Sequence, residues 1–329
     1  MSGRPATTAA VLRVVAAGAC WGLAAVMAKV AFDRGVPPVR MAEARVAVAL
    51  FFLVLLLAWR ERDQLRLPPG SLPVLVAFGL CVAGVNAAYY IAIDRLAVGV
   101  AVSIQYTAPV LLLGVAAVTS FRRPELRPRR LAWVAAALTL AGAVLVSRAY
   151  GGFHKVDGKG LLAAGASALL FGGYLLTAGR AGRRGVPPAT VLFWGFVVAT
   201  VAWSVFAPWW SWPFGRLGQP KVALAVLGVG LVGTLVPFFL AVGAIRVLTP
   251  PTAGTAATAE PPAAALFAWI FLGQHLSVVQ LVGGTLVIAG VVLAHRTAVV
   301  ARKTWRWNQK PRLPGSNQSG RTGVSTPSS

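Results

Sequence analysis

The sequence predicts an all-α membrane protein in which ten transmembrane helices form two inverted five-helix repeats. Three observations carry that prediction. The chain is 57% hydrophobic and only 12% charged, with a mean hydropathy of +0.73, whereas a water-exposed surface needs roughly a quarter of its residues charged. Its apolar residues fall into ten stretches, each close to the roughly 20 residues that carry a helix across a bilayer. The chain also repeats itself about 150 residues on. Arg34-Gly35-Val36-Pro37-Pro38 recurs as Arg184-Gly185-Val186-Pro187-Pro188, Trp21-Gly22 as Phe171-Gly172, Pro109 as Pro261, and the run from Gly142 to Arg148 as Gly290 to Arg296. Five spans per repeat is an odd number, so the second repeat enters the membrane in the opposite sense. Halves related in this way rock against one another around a central site, which is the mark of a transporter.

Charge fixes the orientation. With the N-terminus in the cytoplasm, 21 of the 31 Lys and Arg fall on inner segments and eight on outer loops, with Lys29 and Arg45 inside spans. This positive-inside bias places both termini on the cytoplasmic side of a bacterial inner membrane. The net charge of +23 therefore orients the protein and meets anionic lipid, and nucleic acid is not an expected partner.

Taken in order, residues 1–10 form a cytoplasmic N-terminus and residues 11–148 the first repeat. Its spans are 11–31, 42–59, 72–93, 97–119 and 131–147. Arg4 and Arg13 before the first apolar run resemble a signal peptide, but the matching span of the second repeat is internal, so the first is read as retained. A Gly-rich connector, 149–159, joins the halves. The second repeat, 160–296, holds spans 160–178, 189–208, 222–244, 249–272 and 278–295. The basic tail, 297–329, turns polar from Ala301 and is expected to be disordered. Trp59, Trp133 and Trp194 mark the inner interface, and Trp209, Trp210, Trp212 and Trp269 the outer one.

Candidate chemistry gathers at two prolines in corresponding spans, Pro109 and Pro261. Each removes a backbone donor and frees the carbonyl four residues earlier, at Gln105 and Ala257. Interrupted helices at matching places in two halves point to a substrate site; a packing kink is the plainer reading. Glu260 stands roughly 16 Å into its span, near mid-bilayer. A carboxylate there is costly unless protonated, paired or wetted, so Glu260 is read as a proton-titrating or amine-binding group, against a purely structural protonated acid. Trp21, Asn86, Tyr90, Gln105, Tyr106 and Thr258 complete the candidate cavity. Asn86 and Tyr90 share one helix face, although such residues also serve simply as interhelical hydrogen bonders. Lys29, Glu43 and Arg45 form a candidate outer gate, with a Lys29–Glu43 bridge across the first hairpin, against plain snorkelling to headgroups. Gly18 and Gly22, and Gly283, Gly284 and Gly290, are read as sites of close helix packing.

Cys20 and Cys81 lack metal or disulfide spacing, and His154, His275 and His295 are scattered. No cofactor or metal is expected, and no nucleophile–base constellation argues for an enzyme. The expected partners are a small-molecule substrate and the bilayer, with a homodimer left open. Two rival classes are a membrane scaffold or sensor recruiting partners through the basic tail, and a lipid-modifying enzyme. The eight acidic residues are too dispersed for the latter.

Trp21-Gly22 followed by Lys29, Arg45 early in span two, and Glu260-Pro261 followed by Phe271-Leu272-Gly273 resemble the drug/metabolite transporter superfamily. Within it the chain is similar to the EamA-type ten-span exporters and, more loosely, to the threonine/homoserine exporter branch. The resemblance covers about residues 15–148 and 160–296. It implies a helical bundle with a central cavity and export of amino acids or related small metabolites. Two positions depart from the family pattern. Gly273-Gln274 stands where Gly-Glu is usual, and Ala108-Pro109 lacks the acid that precedes the second proline.

Overall fold

A computed structural model describes residues 3–96, 98–121, 127–149 and 157–308. Among the described residues the regular structure is entirely helical. Two long helices, α1 (Gly3–Phe32) and α2 (Pro38–Arg60), open the chain, followed by α3 (Leu72–Arg95). Then come α4 (Val98–Gln105), α5 (Ala108–Thr119) and α6 (Arg130–Val146). After the connector lie α7 (Gly158–Arg183), α8 (Pro188–Phe206) and α9 (Pro220–Gly230). A π-helical turn, Leu231–Leu235, leads from α9 into α10 (Val236–Ile245), and α11 (Pro250–Ala257), α12 (Glu260–Leu272) and α13 (Val278–Asn308) close the chain.

The repeated pentapeptide folds the same way twice. Gly35 and Gly185 take φ of 84° and 78°, a left-handed conformation that Gly enters without steric cost. Gly35 N–H bonds to Phe32 O and Val36 N–H to Ala31 O; Gly185 and Val186 repeat these bonds to Gly182 and Ala181. This is the Schellman closure of a helix end. Pro37 and Pro187 then act as N-caps, and Pro38 and Pro188 occupy the first helical position, where a missing N–H costs nothing.

Among the described residues, eight helical segments are long and apolar enough to cross a membrane. Two of the ten predicted stretches fall outside that count for identifiable reasons. The helix α6 has only 17 residues, and the ninth stretch is divided into α11 and α12 by a turn at Thr258 and Ala259. The exterior carries large apolar side chains, among them Leu162, Phe206, Leu224 and Val278, each more than two-thirds exposed. An apolar surface this extensive belongs against lipid rather than water.

Inside, Phe78, Tyr174, Phe196 and Phe238 anchor a core shared by α3, α7, α8 and α10. The α6 and α13 helices pack closely, because a Cβ on Gly142 would stand 2.5 Å from Gly283 O. The helix α1 lies against α9, α10, α11, α12 and α13 at once. It thus packs against the last five helices of the second half, while α7 and α8 pack on α3.

Helix α1 begins at Gly3, inside the segment expected to be cytoplasmic, and α13 continues to Asn308, inside the expected tail. Residues 309–329 and connector residues 150–156 lie outside the described residues. Trp212 is not an interface marker but is buried, its indole N–H donating to Arg40 O at 3.0 Å. Trp194 is likewise partly buried, whereas Trp59, Trp209, Trp210 and Trp269 are exposed as an interfacial ring should be.

Candidate functional site

The two proline-interrupted segments meet in the middle of the bundle. Pro109 lies in the first turn of α5, and the chain unwinds just before it at Tyr106 and Thr107. Pro261 and Pro262 do the same for α12, with Thr258 and Ala259 in the break. The segments touch directly, since a Cβ on Gly254 of α11 would lie 3.2 Å from the Pro109 ring. Across this junction the Tyr106 hydroxyl donates to Glu260 Oε2 at 2.5 Å. This short hydroxyl–carboxyl hydrogen bond links the two interrupted segments.

Two glycines of α1 set the position of Glu260. A Cβ on Gly18 would come within 3.1 Å of Glu260 N, and one on Gly22 within 2.6 Å of Ala264 N. The absence of side chains lets the backbone of α12 rest on α1. The start of α12, and so its carboxylate, is held at a defined depth.

A third proline builds the basic side of the site. Pro237 cannot donate to the carbonyl of Gly233, and the backbone just before it is π-helical. Arg45 takes up the freed acceptor: its Nη2 donates to Gly233 O at 2.6 Å and its Nε to Thr234 Oγ1 at 2.8 Å. Nη1 reaches Asn86 Oδ1 at 3.4 Å, and Asn86 is fixed in turn by donating to Val82 O at 2.8 Å. The guanidinium lies within electrostatic reach of both Glu260 and Tyr90. Arg45, Asn86, Tyr89, Tyr90 and Glu260 are each only partly buried.

Below the carboxylate runs an aromatic wall. Tyr106 meets Phe171 edge-on, Phe171 stacks on Tyr174, and Tyr174 and Trp21 both meet Phe238 edge-on, with centroids 5.5–6.1 Å apart. Such pairs hold their geometry firmly.

The predicted residues therefore divide. Tyr106, Pro109, Glu260 and Pro261 come together, with Asn86 and Tyr90 beside Arg45 and Trp21 in the aromatic wall. Gln105 turns to α7, where Ser167 Oγ donates to its Oε1 at 2.7 Å. Thr258 is fully buried and bonds back to Thr255 O, closing the end of α11.

The gate grouping of Lys29, Glu43 and Arg45 does not form as expected. Lys29 pairs with Asp33, one turn on along the exposed face of α1, at 2.9 Å. Glu43 pairs instead with Arg40 at 3.0 Å and is almost fully buried. In both cases a partner three or four residues away on the same helix outcompetes one across the hairpin. Arg45 belongs to the central polar group.

Arg40 does more than pair with Glu43. It donates to Pro208 O at 3.3 Å and to Ser211 Oγ at 2.5 Å, while its own carbonyl accepts from Trp212. A Cβ on Gly35 would stand 3.3 Å from the Arg216 guanidinium. The start of α2 is thus locked to the segment between α8 and α9.

Gly233, Thr234, Pro237 and Tyr89 escaped the sequence reading. A third proline inside a predicted span was the available signal for the first three. Gln274, in the place of the family's usual Glu, is exposed and lines a surface cavity of about 480 Å³ with Ser147, Arg148, His275 and Gln280. No group of three or more His, Cys, Asp or Glu that would hold a metal occurs among the described residues.

Known proteins resemble this chain over most of its length. The sequence pattern of the EamA-like transporter family matches residues 8–148 and again residues 158–296. The threonine/homoserine exporter RhtA of Salmonella typhimurium (strain LT2) is 29% identical over 262 residues, covering 78% of this chain and 79% of its own length. RhtA of Escherichia coli (strain K12) is 28% identical over the same span. An uncharacterized transporter, YwfM of Bacillus subtilis (strain 168), is 25% identical over 73% of this chain and 78% of its own. A solved crystal structure, 22% identical, aligns with a TM-score of 0.69 over 89% of this chain and 98% of that one. That likeness speaks for the fold.

Proposed function

The chain belongs to the EamA-like transporter family, and from that premise we propose that it exports amino acids or related small metabolites across the inner membrane by alternating access. The observation that carries the proposal is the Glu260 carboxylate, bonded to Tyr106 across the contact between two interrupted helices. An ionisable group at mid-bilayer is expensive and marks a transport pathway. Interrupted helices supply the polar backbone that a midplane site needs. The printed names of the RhtA relatives, which are exporters of threonine and homoserine, support the substrate class.

In this account the eight long helices, α6, and α11 with α12 together make ten crossings. They form two inverted five-helix repeats with both termini in the cytoplasm. The turns closed by Gly35 and Gly185, alike in hydrogen bonding, support the repeat. The lock of Arg40 and Glu43 on Pro208 and Ser211 joins the first half to the second on what becomes the outer face. The structure then corresponds to an outward-closed state, and opening requires that lock to part. Proton exchange at Glu260 couples the cycle.

The test is a comparison of metabolites inside and outside cells overproducing the wild type, Glu260→Gln, or no transporter. The wild type alone should shift a class of amino acids outward. Equal outward shifts with the variant would reduce Glu260 to a structural role. No shift with either, at confirmed expression, would overturn the exporter reading.

A further inference from the structure

Among the described residues, Arg45 and Glu260 both stand in the middle of this bundle without an ion-pair partner. The ion pairs among the described residues are Lys29–Asp33, Arg40–Glu43, Arg66–Asp63 and Arg95–Asp157. Neither Arg45 nor Glu260 takes part in one. The three acceptors around Arg45 are all neutral: a carbonyl, a hydroxyl and an amide oxygen. A guanidinium carries five N–H donors, and the Tyr90 hydroxyl stands beside those that these three acceptors leave. On the other side, Tyr106 occupies Oε2 of Glu260, and Oε1 remains an open acceptor. Both side chains are only partly buried, and both are placed against α1: Glu260 N faces Gly18, and Gly233, which accepts from Arg45, faces Ala24; each is within electrostatic reach of the other.

This arrangement selects the charge pattern of its ligand. A cation bound at Glu260 leaves Arg45 uncompensated in a low-dielectric interior, and an anion bound at Arg45 does the same to Glu260. A molecule carrying one charge of each sign, a short distance apart, neutralises both at once. The planar fork of Arg45 suits a carboxylate, and a carboxylate oxygen suits the three donors of an ammonium. We propose that Arg45 and Glu260 are the two halves of a recognition site for a zwitterionic α-amino acid, Arg45 taking its carboxylate and Glu260 its ammonium. The inference rests on the exporter reading and deepens it, because it assigns each end of the substrate to one residue from each half of the chain.

The experiment uses the full-length protein in proteoliposomes. Efflux of the twenty proteinogenic L-amino acids is measured first against protein-free vesicles, and the best substrate is carried forward. Its amide, which keeps the amine but not the carboxylate, and its N-acetyl derivative, which keeps the reverse, are then compared with it. The wild type should prefer the parent over each derivative by at least about tenfold, since a site built for a polar group rejects the analogue lacking it. Arg45→Gln should lose the preference over the amide and keep that over the N-acetyl compound. Glu260→Gln should show the opposite pattern, and Arg45→Lys should retain the wild-type pattern in weakened form.

Equal transport of parent and derivatives by the wild type would overturn the proposal, whether or not any variant folds. So would variants that alter both preferences alike. Those outcomes leave the exporter reading intact. If the wild type moves none of the twenty, the exporter reading itself falls, and this inference with it.

Discussion

At the scale of single residues, the centre of the protein is a hydrogen bond between Tyr106 and Glu260. Tyr106→Phe keeps the ring against Phe171 but removes the donor, leaving a carboxylate in the interior with one fewer partner. The loss should cost about 1–3 kcal/mol, read as a lowered unfolding temperature in detergent, together with slower transport. Glu260 was legible in the sequence because a carboxylate surrounded by apolar residues is conspicuous at any position along a span. Arg45 was misread as a gate residue, because its place near the start of span two says nothing of Gly233 and Thr234, almost 190 residues away, which aim it inward. For Glu43 it is the partner that differs from the expected Lys29. Its true partners, Arg40 on the same helix and through it the segment from Pro208 to Trp212, are fixed by packing that no local pattern reports.

The elements are held by contacts that leave little slack. Gly22 faces the backbone of Ala264, so Gly22→Ala places a Cβ where 2.6 Å is available. Overpacking of that kind should destabilise the protein by about 1–3 kcal/mol and displace the start of α12, measured by thermal unfolding alongside transport. The lock on α2 yields a kinetic prediction instead. Arg40→Ala frees Ser211 and Pro208, so a cysteine placed at Ser211 should label faster with a water-soluble maleimide in that background than in the wild type. Unchanged labelling would remove the lock from the account. At the head of α7, Asp157 accepts from Gly160 N–H at 2.9 Å. That backbone bond, helped by Lys159 and Arg95, holds its carboxyl below the ordinary range. A lowered folded-state pKa means the cap stabilises the fold at neutral pH and is lost as pH falls through that value. Asp157→Asn should therefore flatten the acid limb of the stability curve. Helix positions were largely legible, since hydropathy and the proline–glycine punctuation act locally. The breaks before Pro109 and Pro261 were anticipated on the same ground, while the π-helical turn before Pro237 was passed over, although the same rule applied to it.

Over the whole molecule, the internal repeat was the strongest signal in the sequence, and the structure gives it a physical form in the twin turns at Gly35 and Gly185. The number of crossings was harder to read, because α6 is short and the ninth stretch is broken where the chemistry is. Hydropathy registers apolar length and is blind to whether a helix is continuous. The family match makes the chain a transporter, and the proposed mechanism has its two halves move about Glu260. The measurement that tests this most directly is efflux of L-threonine and L-homoserine from proteoliposomes, comparing wild type, Glu260→Asp and Glu260→Gln at equal protein and unchanged unfolding temperature. The account predicts wild-type efflux above protein-free vesicles, partial activity with Asp, and a loss of at least about tenfold with Gln. Efflux that is as fast with Gln as with Glu would contradict it.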